Sequence, residues 1–248
     1  MPAGHSIKLV FSRHTVYELP LSSQPKFDKS QHMIATIRDP MGDKRAADDA
    51  DSHPIYGPKR ARVYHASLQV NEHYPPLSHK PAEQDVAVKW VRGEEAVRRL
   101  EHEAKLYNEK LASLQGTVVP RFYGFFSAVI QDINVGCIVL EWYKETANRA
   151  DAISAVNINR MVMLLLIHQA GIQHNDIIDA HHMLVLPNAS IRIIDFSKAS
   201  DKHKCMARVD AEGEIINRCY ELEKMKELIN RCYELPVEKM KEITNGRC

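Results

Sequence analysis

The sequence is short of several things, and each shortage removes a class of protein. Its five cysteines (Cys137, Cys205, Cys219, Cys232 and Cys248) form an odd, scattered set with no C-x-x-C pair. That speaks for a reducing compartment and against a disulfide framework. The longest strongly apolar run, MVMLLLI at 161–167, is far too short to span a bilayer. The first residues, MPAGHSIKLVF, contain no long apolar stretch of the secretory kind. Charge of one sign is missing as well: the formal net charge is +1, which gives no general pull toward nucleic acid or an anionic membrane. The expectation is an intracellular, cytoplasmic protein with neither nucleic acid nor membrane among its partners. The basic stretch Lys59–Arg62 (KRAR) is read as a solvated loop, with nuclear import as the alternative.

What is present is enough to build a core. Apolar residues make up 44% of 248 residues, compatible with one large domain or two small lobes. Residues 7–12 (IKLVFS) and 32–38 (HMIATIR) look like strands separated by Pro- and Ser-rich turn signals. Residues 39–60 are polar, charged and poor in large apolar side chains, so 39–54 is expected to be extended or disordered. ARVYHASLQV and DVAVKWV read as strands rich in β-branched residues. Gly93 breaks the run. Val97, Leu100, Ala104, Tyr107, Leu111 and Leu114 then recur at helical spacing as far as Gly116. VVPRFYGFFSAVI and VGCIVLEWY follow as strands joined by QDIN.

Residues 153–170 are apolar nearly all round, predicting a buried helix that Gly171 ends. Beyond it come HND (174–176), a strand HMLVL, a turn PNAS, and a strand IRIID ending at Asp195. The tail 214–243 is helical in pattern. It carries a near-duplicate, NRCYELEKMKE and NRCYELPVEKMKE, read as two short helices broken at Pro236, because two copies are too few for a solenoid.

Five elements in this order carry a resemblance. They are a strand lysine in VAVK (Lys89), a helix glutamate (Glu103), a strand leading to VLEWY, the segment GIQHND, and RIIDFSKA. Together they resemble the protein-kinase-like fold family, and most of all divergent fungal kinase-like proteins with aminoglycoside- and choline-kinase relatives. The likeness covers roughly residues 55–235. It implies a truncated two-lobe α+β fold: an antiparallel sheet plus one helix in the N-lobe, and a short, mainly helical C-lobe. The domains would be an N-terminal extension and flexible linker (1–54), the N-lobe (55–143), and the C-lobe with its helical tail (144–248).

The resemblance also implies roles. Lys89 would hold the phosphates of ATP and Glu103 would fix Lys89. Leu140, Glu141 and Tyr143 would form the adenine pocket, the latter two through backbone groups. Asp176 would be the catalytic base, on a loop braced by His174. Asp195 would bind the divalent metal, with His181 standing where the family has a metal-binding Asn. Oxygen ligands suit Mg²⁺, whereas imidazole favours Mn²⁺.

The sequence departs from the pattern in three places. The segment before VYHA has only Gly57 and an intruding Pro58 in place of a glycine-rich loop. His181 is the second departure, and Ser197, giving DFS rather than DFG, is the third. No APE-like segment follows Asp195. The function implied is an ATP-dependent phosphotransferase to an alcohol group with an unknown phosphate acceptor. The alternative is a catalytically impaired pseudokinase that binds or scaffolds a protein partner. His181, His182, His203 and Cys205 suggest a zinc set, but HKC has no recognised ligand spacing and they are read as surface residues. His168 is read as a packed helix residue, and Cys219 and Cys232 as helix packing.

Overall fold

The computed structural model describes residues 6–23, 32–40, 54, 61–71, 83–144, 153–177, 181–209, 215–216 and 219–233. They fall in two units, 1–109 with 121–142, and 110–120 with 143–248.

The first unit is a closed barrel of seven strands. These are β1 (Ser6–Val10), β2 (Val16–Ser23), β3 (His32–Pro40), β4 (Arg62–Asn71), β5 (Glu83–Arg92), β6 (Phe122–Ile130) and β7 (Ile133–Glu141). Around the barrel their order is β1-β2-β6-β7-β5-β4-β3. All neighbours are antiparallel except β1 and β3, whose parallel pairing, Ile7 opposite Met33 through Val10 opposite Thr36, closes the ring. Alternation decides what fills it, because every second side chain of a strand faces the same way. Ile7 and Leu9, Ala66 and Leu68, Val86 with Val88 and Trp90, and Val135 with Cys137 and Val139 share one buried cluster.

The residues in between face outward, and α1 (Glu94–Asn108) packs on β5, β6 and β7. Gly93 starts it at φ 90°, a conformation that glycine adopts without penalty. The helix buries Leu100, Glu103, Ala104, Leu106 and Tyr107. It stops at Asn108, so Leu111 and Leu114 lie on a separate 3₁₀ turn (Ala112–Leu114) and its approach, not on the continuous helix that their spacing predicts.

The second unit holds α2 (Ile153–Gln169), a hairpin of β8 (Met183–Val185) and β9 (Ile191–Ile193), a two-residue pair β10 (Arg208–Val209) and β11 (Ile215–Ile216), and α3 (Tyr220–Tyr233). Helix α2 packs on β9 and α3. It buries Val156, Leu164, Leu165 and Ile167, while Ile158 stays exposed, so its apolar circumference is not wholly covered. The hairpin is tied to the 110–120 segment by the Ile193 amide on the Val118 carbonyl at 2.8 Å. The Arg192 guanidinium donates to the carbonyls of Gly116 and Thr117 and lies over the Tyr143 ring.

The expected truncated two-lobe protein-kinase-like fold is therefore corrected. The chain is mostly strands, with three α-helices among the described residues. Its first unit is a closed barrel rather than an open sheet, because β1 and β2 extend the sheet and the parallel β1–β3 pair joins its ends. Among the described residues, the part after α2 is built of short hairpins and one helix, not of a helical lobe.

Of the segment expected to be extended, Asp39 and Pro40 end β3, and the Pro54 carbonyl accepts the Trp90 indole N–H at 3.2 Å. Residues 41–53 lie outside the described residues, as do Gly57, Pro58, Lys59, Arg60 and the predicted break at Pro236. Among the described residues, no helix is long and apolar enough to cross a membrane.

Candidate functional site

In the first unit, the β5 pleat turns Lys89 outward toward α1, where Glu103 meets it. The ammonium lies 2.8 Å from Glu103 Oε2, with side-chain exposures of 9% and 0%. Two charges this deep persist only as a pair. Leu140 is buried near the end of β7. The amide of Glu141 donates to the Arg121 carbonyl at 2.8 Å, and its carboxylate accepts the Arg121 amide at 3.2 Å. Of the backbone groups expected to meet adenine, the Glu141 amide is thus already engaged. Tyr143 belongs to the second unit, under Arg192.

In the second unit, Gly171 at φ 80° ends α2 and the chain turns into His174-Asn175-Asp176. Asn175 is itself left-handed at φ 65°, a conformation Asn tolerates better than most residues. Three interactions hold this turn. Glu221 of α3 accepts the amides of His174 and Asn175 at 3.0 and 2.7 Å. The Asn175 side chain donates to the Lys198 carbonyl at 3.0 Å. The fully buried His174 ring sets its Nε2 2.9 Å from the Ile194 carbonyl. A carbonyl can only accept, so Nε2 carries the proton. His174 Nδ1 is then a buried acceptor with no hydrogen-bond partner among the described residues. Burial lowers the pKa of this imidazole, against the opposing effect of the Ile194 carbonyl.

The loop presents Asp176. Its Oδ2 lies 2.9 Å from the Lys198 ammonium and 3.4 Å from His182 Nε2. The hydrogen bond from Lys198 holds this carboxyl below its ordinary range, outweighing partial burial and the nearby Asp195 charge. Asp195 follows β9 at φ 62°. Its Oδ1 accepts the Ser197 hydroxyl at 2.6 Å and the Ser197 amide at 3.3 Å.

Two of the expected contacts are present among the described residues. Lys89 meets Glu103, and His174 braces the loop of Asp176. His181, expected beside the metal, is exposed, and the imidazole next to Asp176 belongs to His182. Sequence reasoning overlooked Lys198 and Glu221. Lys198 sits three residues after Asp195, and its separation from Asp176 closes only through the β8–β9 hairpin. Glu221 lies in the duplicated tail, where a helix glutamate is ordinarily a solvated charge.

The search against protein-family models found none that matches this chain, and the search of curated proteins found no match either.

Proposed function

We propose that the chain is an ATP-dependent phosphotransferase acting on an alcohol, with Mg²⁺ or Mn²⁺ as its metal. The observation that carries this reading is the Asp176 loop. A carboxylate held ionised by Lys198 sits on a turn fixed by two buried groups, His174 and Glu221. An ionised carboxylate is the form that accepts a hydroxyl proton or orients the nucleophile. The adjacent ammonium supplies positive charge for a phosphoryl oxygen. Asp195 provides oxygen donors of the kind that hard divalent cations take. In the first unit, Lys89 is the proposed phosphate-holding cation and Glu103 the residue that positions it. The likeness of GIQHND and RIIDFSKA to kinase-like sequences supports this assignment at the level of those segments, and the barrel lends it no support.

A second reading is a pseudokinase that binds without turnover. It is favoured by the Glu141 amide already donated to Arg121 and by the two Ser197 hydrogen bonds on Asp195 Oδ1.

Calorimetric titration of ATP with Mg²⁺ and with Mn²⁺ separates the readings, followed by transfer from γ-labelled ATP to water and to a panel of small alcohols. The phosphotransferase reading expects metal-dependent ATP binding that Asp195→Ala removes. It also expects a transfer rate that Asp176→Asn lowers by about 100-fold or more while binding persists. ATP binding without transfer would favour the pseudokinase, and no binding under either metal would overturn the enzyme reading.

A further inference from the structure

Four side chains far apart in sequence converge in the second unit. They are His168 near the end of α2, His203 and Cys205 on the extended segment after Ser200, and Cys219 just before α3. One ligand atom from each lies within 4.8 Å of all the others. His168 Nδ1 is 3.3 Å from Cys219 Sγ and 3.6 Å from Cys205 Sγ, and His203 Nε2 is 3.6 Å from Cys219 Sγ. Zinc holds sulfur at about 2.3 Å and imidazole nitrogen at about 2.0–2.1 Å, so the sulfur–nitrogen edges of its tetrahedron are about 3.6 Å. Two of the three nitrogen–sulfur separations, at 3.6 Å, already have the length of such an edge, and the third, at 3.3 Å, is slightly shorter. Both sulfurs are thiols.

A second observation, independent of the cluster, concerns the far side of His168. Its Nε2 lies 2.7 Å from Glu221 Oε2, with both side chains nearly fully buried. Glu221 also accepts the amides of His174 and Asn175, at 3.0 and 2.7 Å. A carboxylate only accepts, so His168 Nε2 carries the proton and Nδ1 presents its lone pair to the sulfurs. Metal-ligating histidines are oriented by such a carboxylate on the opposite nitrogen. Helix packing alone has no use for two imidazoles and two thiols arranged in this way.

We propose that His168, His203, Cys205 and Cys219 form a structural Cys₂His₂ zinc site. Four protein ligands close the coordination sphere, which is the mark of a structural rather than a catalytic zinc. Two sulfurs and two nitrogens in tetrahedral reach select zinc over the oxygen-seeking Mg²⁺ and Ca²⁺. Binding releases the two thiol protons, and the two thiolates then neutralise the ion. The site clamps the end of α2, the 203–205 segment and the start of α3. Through Glu221 it also reaches the amides of His174 and Asn175, so the metal rigidifies the Asp176 loop without touching it. This assignment does not depend on the proposed phosphotransfer.

The test uses the full chain, purified with neither chelator nor added metal. Elemental analysis should give about one zinc per chain, as a single closed site requires. After removal of zinc, loading with Co²⁺ alone should give the visible bands and thiolate charge-transfer absorption of a tetrahedral S₂N₂ site. Cys205 and Cys219 should resist alkylation in the loaded protein and react once it is stripped. Cys205→Ser, at a partly exposed position that a folded chain tolerates, should abolish stoichiometric zinc. Glu221→Gln should weaken zinc affinity by about 10- to 100-fold. Three results would each overturn the proposal: no retained zinc and no cobalt spectrum in the unaltered chain, zinc content unchanged in Cys205→Ser, or a Cys205–Cys219 disulfide in peptides mapped without reduction.

Discussion

Removing the Glu103 carboxylate is the sharpest perturbation of the first unit. At 2.8 Å and an effective dielectric of about 20, the attraction between Lys89 and Glu103 is about 6 kcal/mol. Desolvating the two ions costs several kcal/mol each, so the intact pair is close to neutral for stability. Breaking it is a different matter. Glu103→Ala leaves the ammonium, 9% exposed, desolvated and without that counter-charge, which should cost about 3–5 kcal/mol. With a urea slope of about 2 kcal/mol/M, the unfolding midpoint falls by about 2 M. Trp90, buried on β5 next to Lys89, reports the transition by fluorescence. The double replacement Lys89→Met with Glu103→Leu should come back to within about 1 kcal/mol of the native chain, or exceed it, because it removes both desolvation costs. If that variant is stable and fails to bind ATP, the charges are kept for the ligand and not for the fold. A loss below about 1 kcal/mol for Glu103→Ala would mean a solvated pair, as exposed ion pairs give, and would refute the burial argument.

Two further outcomes are expected. Leu9→Ala, at a fully buried barrel position, should cost about 2–5 kcal/mol, and Lys8→Ala, on the outward face of the same strand, should stay within about 0.5 kcal/mol; urea unfolding followed at Trp90 compares them. Lys198→Met should shift the acidic limb of the pH–rate profile upward. The ammonium lowers the Asp176 pKa, so the ionised base persists to lower pH in the native chain and is lost earlier on acidification once the lysine is gone. An unmoved limb would separate Asp176 from the rate.

Local signals were the legible part of this chain. The VAVK strand, the Gly93 break and the helical stripe placed Lys89 and Glu103 on adjacent elements of regular period, and the resemblance implied their pairing. The closing of the sheet was not legible. β2 was missed because Pro20 and the following serines read as a turn. In the structure Pro20 lies opposite Ser6, next to the irregularity at Leu21–Ser23 where β2 meets β6, and proline is tolerated at such a bulge. Without β2, β1 has no neighbour leading to β6, and the 1–54 segment looks like an appendage. The parallel partnership of β1 with β3 is a long-range choice that neither strand announces on its own.

The same limit hid the metal cluster. Zinc motifs are recognised when their ligands are close in sequence, and here only His203 and Cys205 are. His168 was read from its apolar helix as a packed residue, and it is indeed buried; the proposed site gives it a second role. Cys219 was read through its repeat partner Cys232, and that comparison misleads, because Cys219 precedes α3 while Cys232 lies inside it. A duplication copies residue types but not their surroundings, so equivalent positions need not share a function. The first NRCYELEKMKE copy supplies both a sulfur, from Cys219, and the carboxylate of Glu221 that orients His168. Those two residues, two apart at the mouth of one helix, join the cysteine–histidine cluster to the loop of Asp176 by a path of side chains that no single stretch of the sequence displays.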